Sequence, residues 1–544
     1  MLPTPTVPPS LLRLLNHFWP CFTRPTFTTF TALVTGMIAQ TGPRSVCGML
    51  TGAGLARAWP HDRAHAFFSR RRWNPHHLCE VLARLITAAF TTGGQELTLA
   101  IDDTLIKRSG RHVAHRARQH DGARRGPFPF SFGVCFIVAA LVVDIAGRTR
   151  PMALPALIAC HRPQARPPHR GRTGPRSPRP HPGSARPAAT AATARILTHR
   201  EKRRDRARFR LEQRRAKEAA LPPGHRLPGT VPDLETPLAQ AEAELARARH
   251  AHDQALARVR EHTAPRPGPP PPLEREPTKT ETAIALALRL AALFADRTVH
   301  VVADAAYHNP ALQVLPANLT WTFRLMSNAV LYAAPAPAGP GRRGRRPHAG
   351  ARLGTSADIA ATAAFTPTAP GHPSAAVAAL ECRWPRSLGP TPLRLVLIRT
   401  THRTAGYDLA LLTTDTASPA AEVAARYARR WPIEATFQDA RAHLGLEQAR
   451  NRTPAAVERT VPVQFMAYSL VVVWYHRHGD GRGDVAARVD RRPWYAAKTE
   501  PAFSDMIAAL RRVIIKHRIS RSTSDQHISG LIEEIVLEQA NTAA

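Results

Sequence analysis

The sequence predicts an α/β protein whose sheet follows a helical N-terminal region. Three observations carry that expectation. The aliphatic and β-branched run Gln95-Glu-Leu-Thr-Leu-Ala-Ile-Asp-Asp-Thr104 reads as a strand ending in two acids. A second strand, Thr298-Val-His-Val-Val-Ala-Asp-Ala-Ala-Tyr307, ends in one. The segment Tyr427-Ala-Arg-Arg-Trp-Pro-Ile-Glu-Ala-Thr-Phe-Gln-Asp-Ala-Arg441 sets a lone acid, Glu434, among basic and aromatic residues at helical spacing. Strand ends in an open α/β sheet form the crevice where ligands collect. Asp103, or its neighbour Asp102, and Asp304 are therefore expected to converge with Glu434 from a following helix.

Taken in order, residues 1–95 are expected to be helical, with apolar runs around Leu11 to Phe18, Phe27 to Ile38 and Leu78 to Ala89 broken at Gly42-Pro43 and Gly52 to Gly54. His65-Ala-Phe-Phe-Ser-Arg-Arg-Arg-Trp73 puts three arginines beside aromatics, which suits phosphate contact with stacking and equally a solvated helix end. Residues 96–160 read as strands, with Phe132 to Val143 and Arg148 to Ile158 joined by the hairpin signal Asp144-Ile-Ala-Gly147. Three antiparallel strands with a carboxylate on the first fit the opening of an RNase H-like fold. Residues 161–277 carry Pro, Arg and His tracts around two polar helical segments, Ile196 to Leu221 and Leu238 to Glu261, a basic helical hairpin on flexible linkers. The fold resumes over 278–326 with a helix, Thr280 to Ala295, behind the strand that delivers Asp304, and a further strand, Leu319 to Leu325. Residues 327–415 are β-rich, 416–450 hold the helix with the third acid, and 451–544 are helical. Within the last part, Val461 to Tyr475 is too short and too polar at Gln464 for a membrane span and reads as a buried helix. Trp321 and Trp384 read as packing residues.

The chemistry follows from residue types. On one continuous helix, Tyr427, Arg430, Glu434 and Arg441 would share a narrow face. Pro432 interrupts that helix, since proline fits its first turn and not its interior. Carboxylates grouped with cations are what phosphodiester chemistry needs: the acids hold metal, the cations grip phosphate. Three hard oxygen ligands without Cys or His select Mg²⁺ or Mn²⁺, and two such ions activate the attacking oxygen and stabilise the leaving one. The blander readings are that an Asp at a strand end is a turn former or helix cap, and that Glu434 belongs to a salt-bridged surface helix.

A formal charge of +35, from 75 Lys and Arg against 40 Asp and Glu, points to a polyanionic partner, of which DNA is the natural one. Such binding is salt-dependent and says nothing about the sequence recognised. The six cysteines form no CxxC pair, which suggests free thiols in a reducing compartment, and no secretory signal is evident at the N-terminus.

The order Ile101-Asp-Asp-Thr, Val302-Ala-Asp-Ala-Ala-Tyr and Tyr427-x2-Arg430-x3-Glu434-x6-Arg441 resembles the DDE transposases of bacterial insertion sequences, specifically the IS4-like and IS701-like groups, from about residue 95 to about residue 450. In that family a Tyr-x2-Arg-x3-Glu-x6-Lys spacing surrounds the third catalytic acid. Arg441 replaces the Lys, keeping the charge but turning a point charge into a planar fork. Leu105-Ile-Lys-Arg-Ser-Gly110 and Arg324-Leu-Met-Ser-Asn-Ala-Val-Leu-Tyr332 are weaker matches. Asp103 precedes Thr104 as the family's catalytic Asp precedes its Thr. Asp102 is the alternative, because a shift of one residue moves the side chain to the other strand face.

The resemblance implies an RNase H-like catalytic core with a β-rich insertion, preceded by an α-helical DNA-binding domain. It implies that Asp103, Asp304 and Glu434 are catalytic and hold two Mg²⁺ or Mn²⁺ ions, and that Tyr427, Arg430 and Arg441 contact DNA. The reaction implied is a nick at a transposon end, followed by attack of the freed 3′-OH on target DNA. A homodimer or larger assembly on DNA and a bacterial cytoplasmic, nucleoid-associated location are implied too, with no membrane partner. The alternatives are an inactive or domesticated DNA-binding protein of the same fold, and an RNase H-like nuclease or resolvase.

Overall fold

A computed structural model describes residues 4–122, 124, 128–163, 185–222, 232–263, 275–335, 348–367, 375–400 and 403–521. Two compact units are present: residues 1–163 with 276–544, and residues 164–275.

The larger unit begins with five helices, α1 (Pro9–Asn16), α2 (Arg24–Ala39), α3 (Val46–Gly52), α4 (His61–Ser69) and α5 (Pro75–Phe90). Several start as their sequences dictate: Pro occupies the first turn of α1, α2 and α5, and the Ser45 and Asn74 side chains cap α3 and α5. Helices α2 and α3 meet backbone to backbone at glycines, where a Cβ on Gly36 would overlap the Met49 carbonyl and one on Gly52 would overlap the Gly36 carbonyl. Gly36→Ala should therefore lower stability by about 1–3 kcal/mol, read as a fall in the denaturant midpoint.

The chain then forms β1 (Leu97–Lys107), β2 (Ala117–His120), β3 (Phe130–Val143) and β4 (Met152–His161). The smaller unit follows, a hairpin of α6 (Ala185–Ala219) and α7 (Pro232–Thr263). Its apolar seam is narrow: Leu211, Ala241 and Leu245 are buried, and Glu244 pairs with Arg200 and Arg203. The polar character of both segments in the sequence agrees with so small a seam.

The larger unit resumes with α8 (Lys279–Leu293), opened by a full capping box between Thr278 and Glu281, then β5 (Val299–Ala303) and β6 (Leu319–Arg324). After it come β7 (Leu331–Tyr332), β8 (Arg352–Gly354), α9 (Ser356–Thr362), β9 (Thr366–Pro367), β10 (Ala375–Cys382), α10 (Pro385–Leu388), β11 (Leu393–Thr400) and β12 (Leu409–Thr413). The C-terminal helices are α11 (Ala420–Ala428), α12 (Pro432–Leu444), α13 (Pro454–His478), α14 (Gly481–Arg491) and α15 (Phe503–Ser520).

One mixed sheet runs in the order β2-β3-β1-β5-β6-β12-β11-β10-β9, with β4 also on β3. Its heart is the RNase H-like arrangement: β4, β3 and β1 antiparallel, then β5 and β6 parallel to β1. The β-rich segment continues this sheet, since β12 pairs with β6 and carries β11 and β10 outward. Helix α13 is buried from Val461 to Tyr475 and packs on β4, α5 and α15. The buried Gln464 amide nitrogen donates to the Leu444 and Gly445 carbonyls. No helix among the described residues is long and apolar enough to cross a membrane. Trp321 is buried with its indole N–H donating to the Tyr307 carbonyl, and Trp384 packs on His308 and Phe323.

Two local expectations change. The first strand does not stop at its acids: pairing with β3 continues to Lys107 opposite Gly133, so Asp102 and Asp103 lie mid-strand. Nor do Tyr427 and Glu434 share one helix. Pro432 takes the first position of α12, and Arg429 to Trp431 form the turn that separates it from α11.

Candidate active site

The alternation of β1 sends its two acids to opposite faces. On one face, the Asp103 carboxylate meets the Lys279 ammonium at 2.7 Å, accepts from the Tyr307 hydroxyl at 3.0 Å and from the Cys135 thiol at 3.1 Å. Burial pushes this carboxyl up, but the Lys279 charge and the three hydrogen bonds outweigh it and hold it below the usual range. The same burial, with the Asp103 charge beside it, raises the Cys135 thiol well above its ordinary value.

On the other face, Asp102 lies 3.2 Å from the Arg430 guanidinium, whose second nitrogen is 2.9 Å from Glu434. Burial, with the charges of Asp103 and Asp304 adding to it, pushes the Asp102 carboxyl up to about 7 against the Asp103 backbone N–H and Arg430. Asp304, in the residue after β5, is thus electrostatically coupled to Asp102, and it also acts on the Tyr427 hydroxyl. Tyr427 is buried, hydrogen-bonded to Arg430 and near Arg324. Arg441 donates to the Thr104 hydroxyl at 2.6 Å, two residues along β1 on the Asp102 face, and reaches Glu447 at 3.3 Å. The structure therefore gathers Asp102, Asp304, Glu434, Tyr427, Arg430 and Arg441 on one face, and turns Asp103 to the other.

The helices that carry these groups are firmly seated. Arg426 of α11 donates to Asp415 at 2.8 Å and to His300 of β5 at 3.0 Å, all three buried. Burial alone would raise Asp415, but hydrogen bonds from Ser418 and Arg426 bring it down to about 2. Helix α12 is fixed to β4 by the Thr436 hydroxyl donating to the Ala153 carbonyl at 2.7 Å, and it ends at Gly445 in the left-handed conformation, φ 63°. Glu434 sits in the first turn of α12, where the helix dipole favours a carboxylate.

The donors on the Asp102 face are carboxylate oxygens without Cys or His, which suits a hard divalent cation. Among the described residues no three His, Cys, Asp or Glu side chains stand close enough to hold one ion. The Arg430 guanidinium lies between Asp102 and Glu434 and occupies a cation's position there. The donor chemistry fits a metal once that guanidinium turns to another anion.

Sequence reasoning missed the Asp103 partners. Lys279 was marked only by the Thr278-x-x-Glu281 capping signal and Tyr307 only by its place in the Val302-Ala-Asp-Ala-Ala-Tyr motif, while Cys135 carried no signal.

A face that combines a mid-strand acid, a strand-end acid and a helix-borne acid with arginines able to bind phosphate has the chemistry needed to cut and join phosphodiesters. Residues 17–129 match the family model of the DDE superfamily endonucleases, and residues 276–470 match that of the transposase DDE domain. No curated protein matches the chain. The chain belongs to the DDE transposases, enzymes that act on DNA and depend on divalent metal.

Proposed function

We propose that the reaction is carried out by Asp102, Asp304 and Glu434 holding two Mg²⁺ ions, for which Mn²⁺ can substitute. The single observation that carries this reading is the bridging of Asp102 and Glu434 by Arg430, with Asp304 coupled to Asp102. Bound divalent ions would polarise the scissile phosphate and lower the pKa of the attacking oxygen. The chain's own part is to fix that geometry. The carboxylates on β1, after β5 and on α12 are held by three separately anchored elements, so that an attacking oxygen, the phosphorus and the leaving oxygen can lie in line. Arg430, freed from the acids, binds a non-bridging phosphate oxygen; Arg441 and Tyr427 position the neighbouring strand.

In the first step a water oxygen bonds to phosphorus, the 3′ oxygen leaves with a proton, and a 3′-OH and a 5′-phosphate result. In the second, the oxygen of that 3′-OH gives up its proton and bonds to a phosphorus of target DNA, and the target 3′ oxygen departs and takes up a proton. The substrate ends are read as those of a bacterial insertion sequence of the IS4-like or IS701-like groups, on the strength of the Tyr427-x2-Arg430-x3-Glu434 spacing. Residues 1–95 are assigned to end recognition, supported by the exposed Arg70 to Arg72; Trp73 is buried beneath Arg459 and takes no part. Two DNA ends call for a homodimer or larger assembly, working on nucleoid DNA in the bacterial cytoplasm.

The test incubates the full chain with DNA carrying the element's own ends, with Mg²⁺, with Mn²⁺ and with chelator. Nicks bearing 3′-OH, and joined products, are expected with either ion and lost with chelator. Nicks without joining would move the reading to a nuclease or resolvase. Tight binding without cleavage in any condition would move it to an inactive DNA-binding protein.

A further inference from the structure

Helices α14 and α15 enclose a cavity of about 380 Å³ lined by Arg488, Arg491, Arg492, Arg511 and Arg512, with His443 from the end of α12. Two acids also face it, and both are engaged. Asp505 takes Arg488 at 2.8 Å and Lys498 at 2.8 Å, and Asp484 takes Arg512 and the Tyr475 hydroxyl. Five arginines against two acids leave the lining strongly positive.

Arg511 is the informative member. It donates to the Ile38 carbonyl at 2.6 Å and, at 3.5 Å, to the His443 carbonyl, with no carboxylate as partner among the described residues. The charge that acts on it is that of Arg44, and burial followed by this repulsion brings its pKa down to about 9. A half-buried cation facing another cation is costly, and an anion in the cavity removes the cost. The rim adds a second feature. Arg491 and Arg492 are exposed and run directly into a 3₁₀ turn, Pro493–Tyr495, whose Trp494 is 75 % exposed and Tyr495 46 % exposed. Exposed aromatics beside arginines suit a nucleotide chain, with phosphate on the forks and a base or sugar on the rings, better than they suit a free anion.

We infer that the α14–α15 cavity is a docking site for the DNA backbone, separate from the acids on β1, after β5 and on α12, in which Arg491, Arg492 and Arg511 take phosphates and Trp494 stacks. The inference rests on DNA being the partner, but not on the assignment of the catalytic acids.

Affinity for a fluorescent duplex is measured without metal across a salt series, for the full chain and for Arg491→Ala/Arg492→Ala. A pair of exposed arginines elsewhere, Arg352→Ala on β8 with Arg386→Ala on α10, serves as control. The α14 pair is expected to lose about tenfold in affinity at ~0.1 M salt and to flatten the log–log salt slope by about 2, one unit for each lost phosphate contact. Trp494→Ala is expected to lower affinity without changing the slope. Thermal shift with inorganic phosphate separates the two sources of anion. A phosphate shift lost in the α14 pair while DNA affinity stays unchanged would mean a small-anion site and would overturn the inference. Equal losses in the α14 and control pairs would overturn it too, since net charge alone would then account for them. Because no metal is present, a failure of cleavage cannot be mistaken for a failure of docking.

Discussion

Asp102→Asn is expected to lower metal-dependent DNA cleavage by about 10³-fold or more, and Asp103→Asn to leave it within about tenfold while lowering stability. Loss of one metal-binding carboxylate removes several kcal/mol of transition-state stabilisation, and each 1.36 kcal/mol is about tenfold in rate. Asp304→Asn and Glu434→Gln should match Asp102→Asn, because the three carboxylates act as a unit. Asp103 faces Lys279, Cys135 and Tyr307 on the far side of the strand. In Asp103→Asn the amide oxygen can still accept from Tyr307, but the Lys279 ammonium loses its counter-charge and, with the Cys135 thiol, faces an amide N–H in place of an acceptor oxygen, a cost of about 1–3 kcal/mol at a partly exposed site. Single-turnover cleavage and thermal melting of all four variants separate the two roles. If Asp103→Asn abolishes cleavage in a protein that melts like wild type, while Asp102→Asn still cuts, the assignment is reversed.

The ambiguity between these neighbours shows what the sequence holds and what it does not. The β5 strand was legible because an aliphatic run broken only by His300 stops at one acid, and Asp304 follows Ala303 as that run implies. The first strand was not, because two adjacent acids mimic a strand end. The strand continues because β3 lies opposite it as far as Gly133, the partner of Lys107 and 133 − 107 = 26 residues away, which no local pattern announces. Which acid faces the other acids depends on the cover of each face, α8 on one side and the α11–α12 pair on the other, and therefore on tertiary packing. Pro432 was readable as a first-turn residue, and it is one. The convergence of Tyr427 and Arg430 with Glu434 across a turn follows instead from the seating of α11 by Arg426, Asp415 and His300, residues far apart in the chain. The arginine-lined cavity was half visible: the basic residues of the last helix, among them Arg511 and Arg512, are plain in the sequence, but their enclosure with Arg488 and Arg491 is not.

The acid face should also be measurable as an instability that metal relieves. In the folded protein Asp102 is pushed up to about 7, first by burial and then by Asp103 and Asp304, whereas an unfolded Asp sits near 3.8. The folded state therefore binds this proton more tightly than the unfolded state. Below about pH 3.8 the group is protonated in both states and costs nothing. Between that value and about 7 stability falls as pH rises, and above about 7 the whole cost of a charged Asp102 is present. The side chain is 21 % exposed, so burial is the main cause, and the cost is on the order of 2–4 kcal/mol at ~1.4 kcal/mol per unit. At pH 8 in chelator, Asp102→Asn should melt a few degrees above wild type, and the gap should narrow as the pH is lowered towards 5. Millimolar Mg²⁺ or Mn²⁺ should raise the wild-type melting temperature at pH 8 and leave the variant nearly unmoved, because binding to the folded state alone stabilises it by mass action. A variant that melts below wild type at pH 8, with the metal shift intact, would show that Asp102 neither carries the strain nor holds the ion. Such a cost is consistent with a catalytic face held charged in the absence of its cation, with Arg430 as the interim counter-ion.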